Sequence, residues 1–300
     1  MPDVSVNGVS LHFESLGRDD HPAIVLVMGL AMQMIVWPDA LCDALVSNGF
    51  RVIRFDNRDV GLSSHLDMLG SPFMAFHYVR HFLRLGVDAP YRIDDMANDT
   101  VGLIDALRLE RPHIVGASMG GMIAQHVAAQ YPGKIASLVS MMSTTGKRSL
   151  PQPRWKTMLA LMQPRAAPGD IEGAVDRMMK ILRAIESRTY PMDEARLRDL
   201  CERHVRRAYY PAGGARQLLA IAASGDRTDV VRSIKVPTRV IHGDQDPLIH
   251  PEAGFDTART IVEGGGDGSL SIVEGMGHDL PAPLLPRIVD EIVWHCRHYR

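Results

Sequence analysis

Cysteine is scarce in this chain. Its 300 residues hold three, Cys42, Cys201 and Cys296, far apart and without C-x-x-C spacing, which excludes a disulfide framework or a cysteine zinc site as the basis of the fold. Each reads as a small buried hydrophobe. No sign of charge dominates: 33 Lys and Arg against 35 Asp and Glu leave a formal net charge of −2, so nucleic acid and anionic membranes are not expected partners. A small or neutral substrate fits better. No apolar run reaches membrane-spanning length, and the opening MPDVSVNGVSLHF has neither a basic leader nor an apolar signal core, so a cytoplasmic protein is expected. A G-x-x-x-x-G-K-S/T phosphate loop and a dinucleotide fingerprint are also missing, and GGGDG at 264–268 lies between a helix and a strand, the wrong side for cradling phosphate. No organic cofactor is implied. His65, His77, His81 and His250 form no metal-ligand spacing with carboxylates, so no metal is expected.

What the chain has is enough apolar sequence, 46% of residues, for one large core. The start, VSVNGVSLHFES, alternates apolar and polar residues around Asn7-Gly8 and predicts a β-hairpin. Continuous apolar runs then recur at 23–29, 51–56, 113–118, 135–143, 238–243 and 269–275, as strands covered on both faces require. Helix-length stretches separate them, near 37–48, 94–108, 119–131 and 252–262, and LLPRIVDEIVWHCRHY closes the chain. That alternation predicts an α/β fold with a mostly parallel, doubly wound sheet. It is interrupted twice. Residues 66–92 are rich in aromatics and histidine and raise the question of a mobile lid; residues 146–230 are rich in Arg, Met and Pro with helical spacing. The second is too long for a loop and predicts a helical cap, leaving 1–145 and 231–300 as the core.

HIVGASMGGMIAQ, 113–125, places G-x-S-x-G between a strand and a helix. A turn so sharp lifts the Ser118 hydroxyl above the sheet edge, and flanking glycines let strand and helix pass close by. A serine nucleophile needs a base and an orienting carboxylate. The chain offers Asp244 and Asp246 in VIHGDQDPLIHP and then His278 in VEGMGHDLP, so nucleophile, acid and base follow in the order Ser, Asp, His.

With VLVMGLAMQMIVWP and RVIRFDNRDVGLS, these stretches make the chain resemble the α/β-hydrolase superfamily over nearly its whole length outside the two insertions. The resemblance implies a serine carboxylesterase, of the aclacinomycin methylesterase-like kind, acting on small to medium hydrophobic esters. It selects Asp246, three residues after the glycine ending its strand, as the acid, and assigns the oxyanion hole to the backbone N–H groups of Met119 and Leu30. Many relatives read His-Gly-x where this chain has Met28-Gly29-Leu30, so a side chain that braces that loop is missing here. The same triad also serves C–C bond hydrolases of ring-cleavage products and cofactor-free haloperoxidases or perhydrolases. A non-catalytic binding module on this fold would show a lost triad member. Homo-oligomerisation is left open. Asp56 and Arg58 are expected to tie loops together, His113, His126 and His242 to be core or strand-end histidines, and the cap arginines, Arg207 included, to form a solvated surface. The methionines near strand ends serve either a malleable pocket or ordinary core filling.

Overall fold

A computed structural model of the chain describes residues 2–72, 86–167 and 169–299. Residues 73–85, with His77, His81 and the middle of the segment raised as a lid, lie outside the described residues.

Asn7 and Gly8 both take positive φ, 47° and 76°, the shape of a primed two-residue turn whose twist matches its strands. The turn joins β1 (Asp3–Val6) to β2 (Val9–Leu16). Next come β3 (Ala23–Val27), β4 (Arg51–Phe55), β5 (His113–Ala117), β6 (Leu138–Met141), β7 (Thr238–Gly243) and β8 (Gly268–Val273). They form one sheet in the order β1-β2-β4-β3-β5-β6-β7-β8. The first two pairings are antiparallel and the other five parallel. The run at 135–143 predicted a longer β6. It ends at Met141 because Met142 turns left-handed, φ 41°, while its N–H still reaches Ile241 O at 2.8 Å.

Helices α1 (Asp39–Ser47), α2 (Ile93–Ala106) and α3 (Met119–Gln130) precede an all-helical stretch. That stretch holds α4 (Trp155–Leu161), α5 (Ile171–Ile185), α6 (Glu194–Arg207), α7 (Pro211–Ser224) and α8 (Thr228–Arg232); α9 (Glu252–Glu263) and α10 (Leu285–His298) follow. Side-chain alternation along β3 builds two cores. Ile24 and Leu26 pack with Leu41 and Leu45 of α1 and with Ile288 and Ile292 of α10, whereas Val25 and Val27 pack with Val101 of α2, Ile123 of α3 and Ile261 of α9. Each such fully buried side chain contributes roughly 1.5–3 kcal/mol. Met28, Met119, Met122, Met141, Met142 and Met276 are buried among them, so these methionines fill the core. The cysteines are buried and unpaired, and burial pushes the Cys42 thiol up to about 11.

The inserted helices have a small core of their own, where Val175, Met178 and Met179 of α5 meet Leu197, Cys201 and Val205 of α6. A buried ion pair fastens them to the loop that follows β4. Arg216 of α7 grips Asp59 through Nε and Nη2, both at 2.8 Å, and the two side chains are 1% and 0% exposed. Asp59 also accepts the Leu66 N–H and the Tyr91 hydroxyl. Asp56 ties loops as expected, accepting the Met34 and Leu62 N–H groups, whereas Arg58 ties its loop to a helix, meeting both oxygens of Asp99 in α2 at 2.6 Å. Among the described residues no helix is long and apolar enough to cross a membrane.

Candidate active site

The C-terminal ends of β3, β5, β7 and β8 converge. Ser118 follows β5 directly and is the N-cap of α3, with φ 56° and ψ −119°. A side-chain-bearing residue there carries strain of order 1–3 kcal/mol, held in place by its surroundings. Its glycine neighbours make the corner feasible. A Cβ on Gly116 would lie 2.2 Å from Gly120 O, and one on Gly120 would lie 2.0 Å from Val27 O.

His278 lies in the loop after β8, its Nε2 2.9 Å from Ser118 Oγ and its Nδ1 2.7 Å from Asp246 Oδ2. A carboxylate only accepts, so Nδ1 carries the proton and Nε2 is left as the acceptor for the Ser118 hydroxyl. Asp246 is buried, and its Oδ1 accepts the N–H groups of Leu248 and Ile249, both at 2.8 Å. Burial opposes its charge, but His278 and His242 overcome that and hold the carboxyl well below the usual range. Asp244, two residues earlier, instead accepts Gly275 N–H at 2.7 Å and closes the turn after β8.

His242 is the buried strand-end histidine the sequence predicts, and it has a further contact. Besides ending β7 as a core histidine, it places Nε2 2.8 Å from Ile249 O and 3.3 Å from Asp246 Oδ2, so it adds a donor to the acid. It is the first residue of HGDQDP, but nothing in the sequence marks a contact with Asp246. Arg207 does differ from the expectation: it is not part of a solvated face but donates to buried Asp56 Oδ2 and to Gln33 Oε1, both at 2.7 Å. Arg198 and Arg203 do lie outside, paired with acidic neighbours.

The loop after β3 comes up against the serine. A Cβ built on Gly29 would sit 3.2 Å from Ser118 Cβ. Among the described residues the N–H groups of Leu30 and Met119 meet no acceptor, and that of Met119 stands at the first turn of α3 where the helix supplies none. Two unpaired donors beside a serine hydroxyl suit a developing oxyanion.

Asp279 sits beside His278 and accepts Ser187 N–H at 3.0 Å. Burial raises its pKa to about 7, with Glu186 adding to the effect and the N–H groups of Ser187 and Gly277 and nearby His278 opposing it. Unfolded, a carboxyl ionises near about 4. The native state therefore binds the proton more tightly, and stability falls as pH rises from about 4 to about 7, with the full penalty present above that. Asp279→Asn is expected to raise Tm at pH 8 and leave it unchanged at pH 4. A Tm difference that stays constant between those pH values would contradict the assignment.

Comparison with known proteins agrees with the architecture. The chain belongs to the alpha/beta hydrolase fold family, which it matches over residues 22–260. It is 25% identical to the rhodomycin D methylesterase of Streptomyces sp. (strain C5), covering 98% of this chain and 97% of that protein. Among solved structures it resembles the enol-lactonase from Burkholderia xenovorans LB400, with a TM-score of 0.71, 21% identity and 99% and 100% of the two chains covered. It also resembles the meta-cleavage product hydrolase from Pseudomonas fluorescens IP01, with a TM-score of 0.74, 16% identity and 100% and 98% covered.

Proposed function

We propose that the chain is a carboxylic ester hydrolase working through an acyl-enzyme on Ser118. The observation that carries this reading is the unbroken relay from Ser118 Oγ through His278 to Asp246, mounted on a left-handed serine. His278 Nε2 takes the proton as Oγ attacks the ester carbonyl, and Asp246 keeps Nδ1 protonated and stabilises the imidazolium. The oxyanion is received by Leu30 and Met119 N–H. His278 then protonates the departing alcohol, takes a proton from water, and the hydroxide so formed releases the acid.

The inserted residues 146–230 serve as the cap over the sheet end that carries Ser118. The methylesterase aligned over nearly both full lengths supports a small alcohol such as methanol as leaving group, and small to medium hydrophobic esters as the substrate class. The test is hydrolysis of p-nitrophenyl esters from acetyl to long acyl chains, with Ser118→Ala alongside. Turnover of short or medium esters that vanishes in the variant is expected. Wild-type turnover that survives in Ser118→Ala would reject the serine mechanism.

A further inference from the structure

The loop carrying Leu30 is a tight turn. Met32 N–H closes it by donating to Gly29 O at 3.3 Å, which makes Leu30 and Ala31 its central residues. Ala31 is left-handed, φ 57°. A β-turn with positive φ at its third residue normally has glycine there, because a Cβ is strained in that region. This chain has alanine, so something outside the turn must favour that shape.

The outside partner is Gln217, 186 residues away on α7, whose Oε1 accepts Ala31 N–H at 2.8 Å. Its Nε2 donates to Arg58 O at 2.7 Å, and the side chain is fully buried. The group it holds is telling. Ala31 N–H belongs to the central peptide of the turn, and the orientation of that peptide distinguishes a turn with a left-handed third residue from one without. Rotating it changes ψ of Leu30, whose unpaired N–H is the donor proposed for the oxyanion.

The next stretch is held from the same side. Gln33 Nε2 donates to His204 O and Ala208 O at 2.7 and 2.8 Å, Gln33 Oε1 accepts from Arg207, and Gln33 N–H donates to His204 Nε2 at 3.3 Å. Burial pushes the His204 pKa down to about 4, so the ring stays neutral and keeps a nitrogen able to accept.

We propose that Gln217 is a positioning residue of the oxyanion site: by holding Ala31 N–H it selects the turn that aims Leu30 N–H, so the inserted helices complete the acyl-transfer machinery as well as covering it. This rests on the serine hydrolase reading. Gln217→Leu removes the acceptor and keeps an apolar filling, and Gln217→Asn keeps the amide but withdraws it by one methylene. The strain predicts a rescue, since glycine at position 31 holds the turn without help.

The experiment compares the rate at which a fluorophosphonate labels Ser118, together with kcat and KM for p-nitrophenyl acetate and Tm, in wild type, both Gln217 variants and Ala31→Gly/Gln217→Leu. Phosphonylation develops an oxyanion whatever the natural substrate is. Labelling and kcat are expected to fall about 10- to 100-fold in the single variants with KM little changed, the scale of a weakened oxyanion donor. In the double variant most of the loss should be recovered. If one variant fails to fold, the other gives the same reading. Folded variants that label at the wild-type rate, or a loss that glycine at 31 does not repair, would overturn the role of Gln217 alone. A wild type that the probe does not label at Ser118 would overturn the hydrolase reading as well.

Discussion

Ser118→Ala is expected to lower kcat for a short p-nitrophenyl ester by about 10⁵- to 10⁶-fold, the scale seen when a triad nucleophile is deleted. The change removes one oxygen and leaves the elbow backbone as it was. Alanine at φ 56° bears the same backbone strain as serine, and the bond lost is the single one from Oγ to His278 Nε2. Tm should therefore move little. KM should also move little, because the surfaces that bind substrate before chemistry are untouched. What remains is the oxyanion site and a general base with only water to activate, worth about 10³- to 10⁴-fold over the uncatalysed reaction. The measurement is steady-state hydrolysis on freshly purified variant, with fluorophosphonate-treated wild type setting the contamination floor. Activity of the variant within a hundredfold of wild type would mean that Ser118 is not the nucleophile.

Arg216→Met is expected to cost about 3–5 kcal/mol of stability, and with it to lower Tm by roughly 10 °C. Methionine fills much of the volume, so the loss is mainly electrostatic. Asp59, fully buried, would keep its charge with only Leu66 N–H and the Tyr91 hydroxyl to satisfy it. Arg216 also donates to Gly70 O and the Tyr210 hydroxyl, bonds the variant loses, although exposed Gly70 O can turn to water and Tyr210 keeps Asp67 as a partner. Burial works against the Asp59 charge, but Arg216 and the other donors now hold its pKa below the usual value, so the wild-type pair loses stability only as pH falls through that lowered pKa. Without Arg216 the carboxyl is more easily protonated, and the deficit of the variant should shrink toward acid pH. Asp59→Asn on top of Arg216→Met should recover part of the loss, which thermal unfolding of the four proteins of the double-mutant cycle would measure. Strict additivity would deny the coupling.

Some parts of this molecule are legible in its sequence because their chemistry is local. Asn7-Gly8 names its own turn, and only glycine at 116 and 120 lets α3 start so close to β5 and β3. Non-alternating runs locate the strands because covered strands need apolar residues on both faces. The choice of Asp246 over Asp244 comes from resemblance; the folded loop gives the reason, since one carboxylate faces His278 and the other is spent on Gly275. The contacts made by Gln33, Arg207, Gln217 and His242 are not legible. A glutamine or arginine on an amphipathic helix looks alike whether it faces water or a buried partner, and these partners lie up to 186 residues away. Arg207 departs from the expected solvated face for that reason. Its neighbours on α6, Arg198 and Arg203, do face solvent.

The span of the relay bears on how the chain folds. Ser118 and His278 are 160 positions apart, and the histidine loop hangs from β8, the outermost described strand at its end of the sheet and the last described strand in chain order. Contacts of such long sequence separation form late, because the loop-closure entropy is paid before they reward it. During refolding from denaturant, far-UV dichroism should return before esterase activity does, and the regain of activity reports the arrival of that edge strand. Turnover in this protein is thus a clock for the closing step of its own folding.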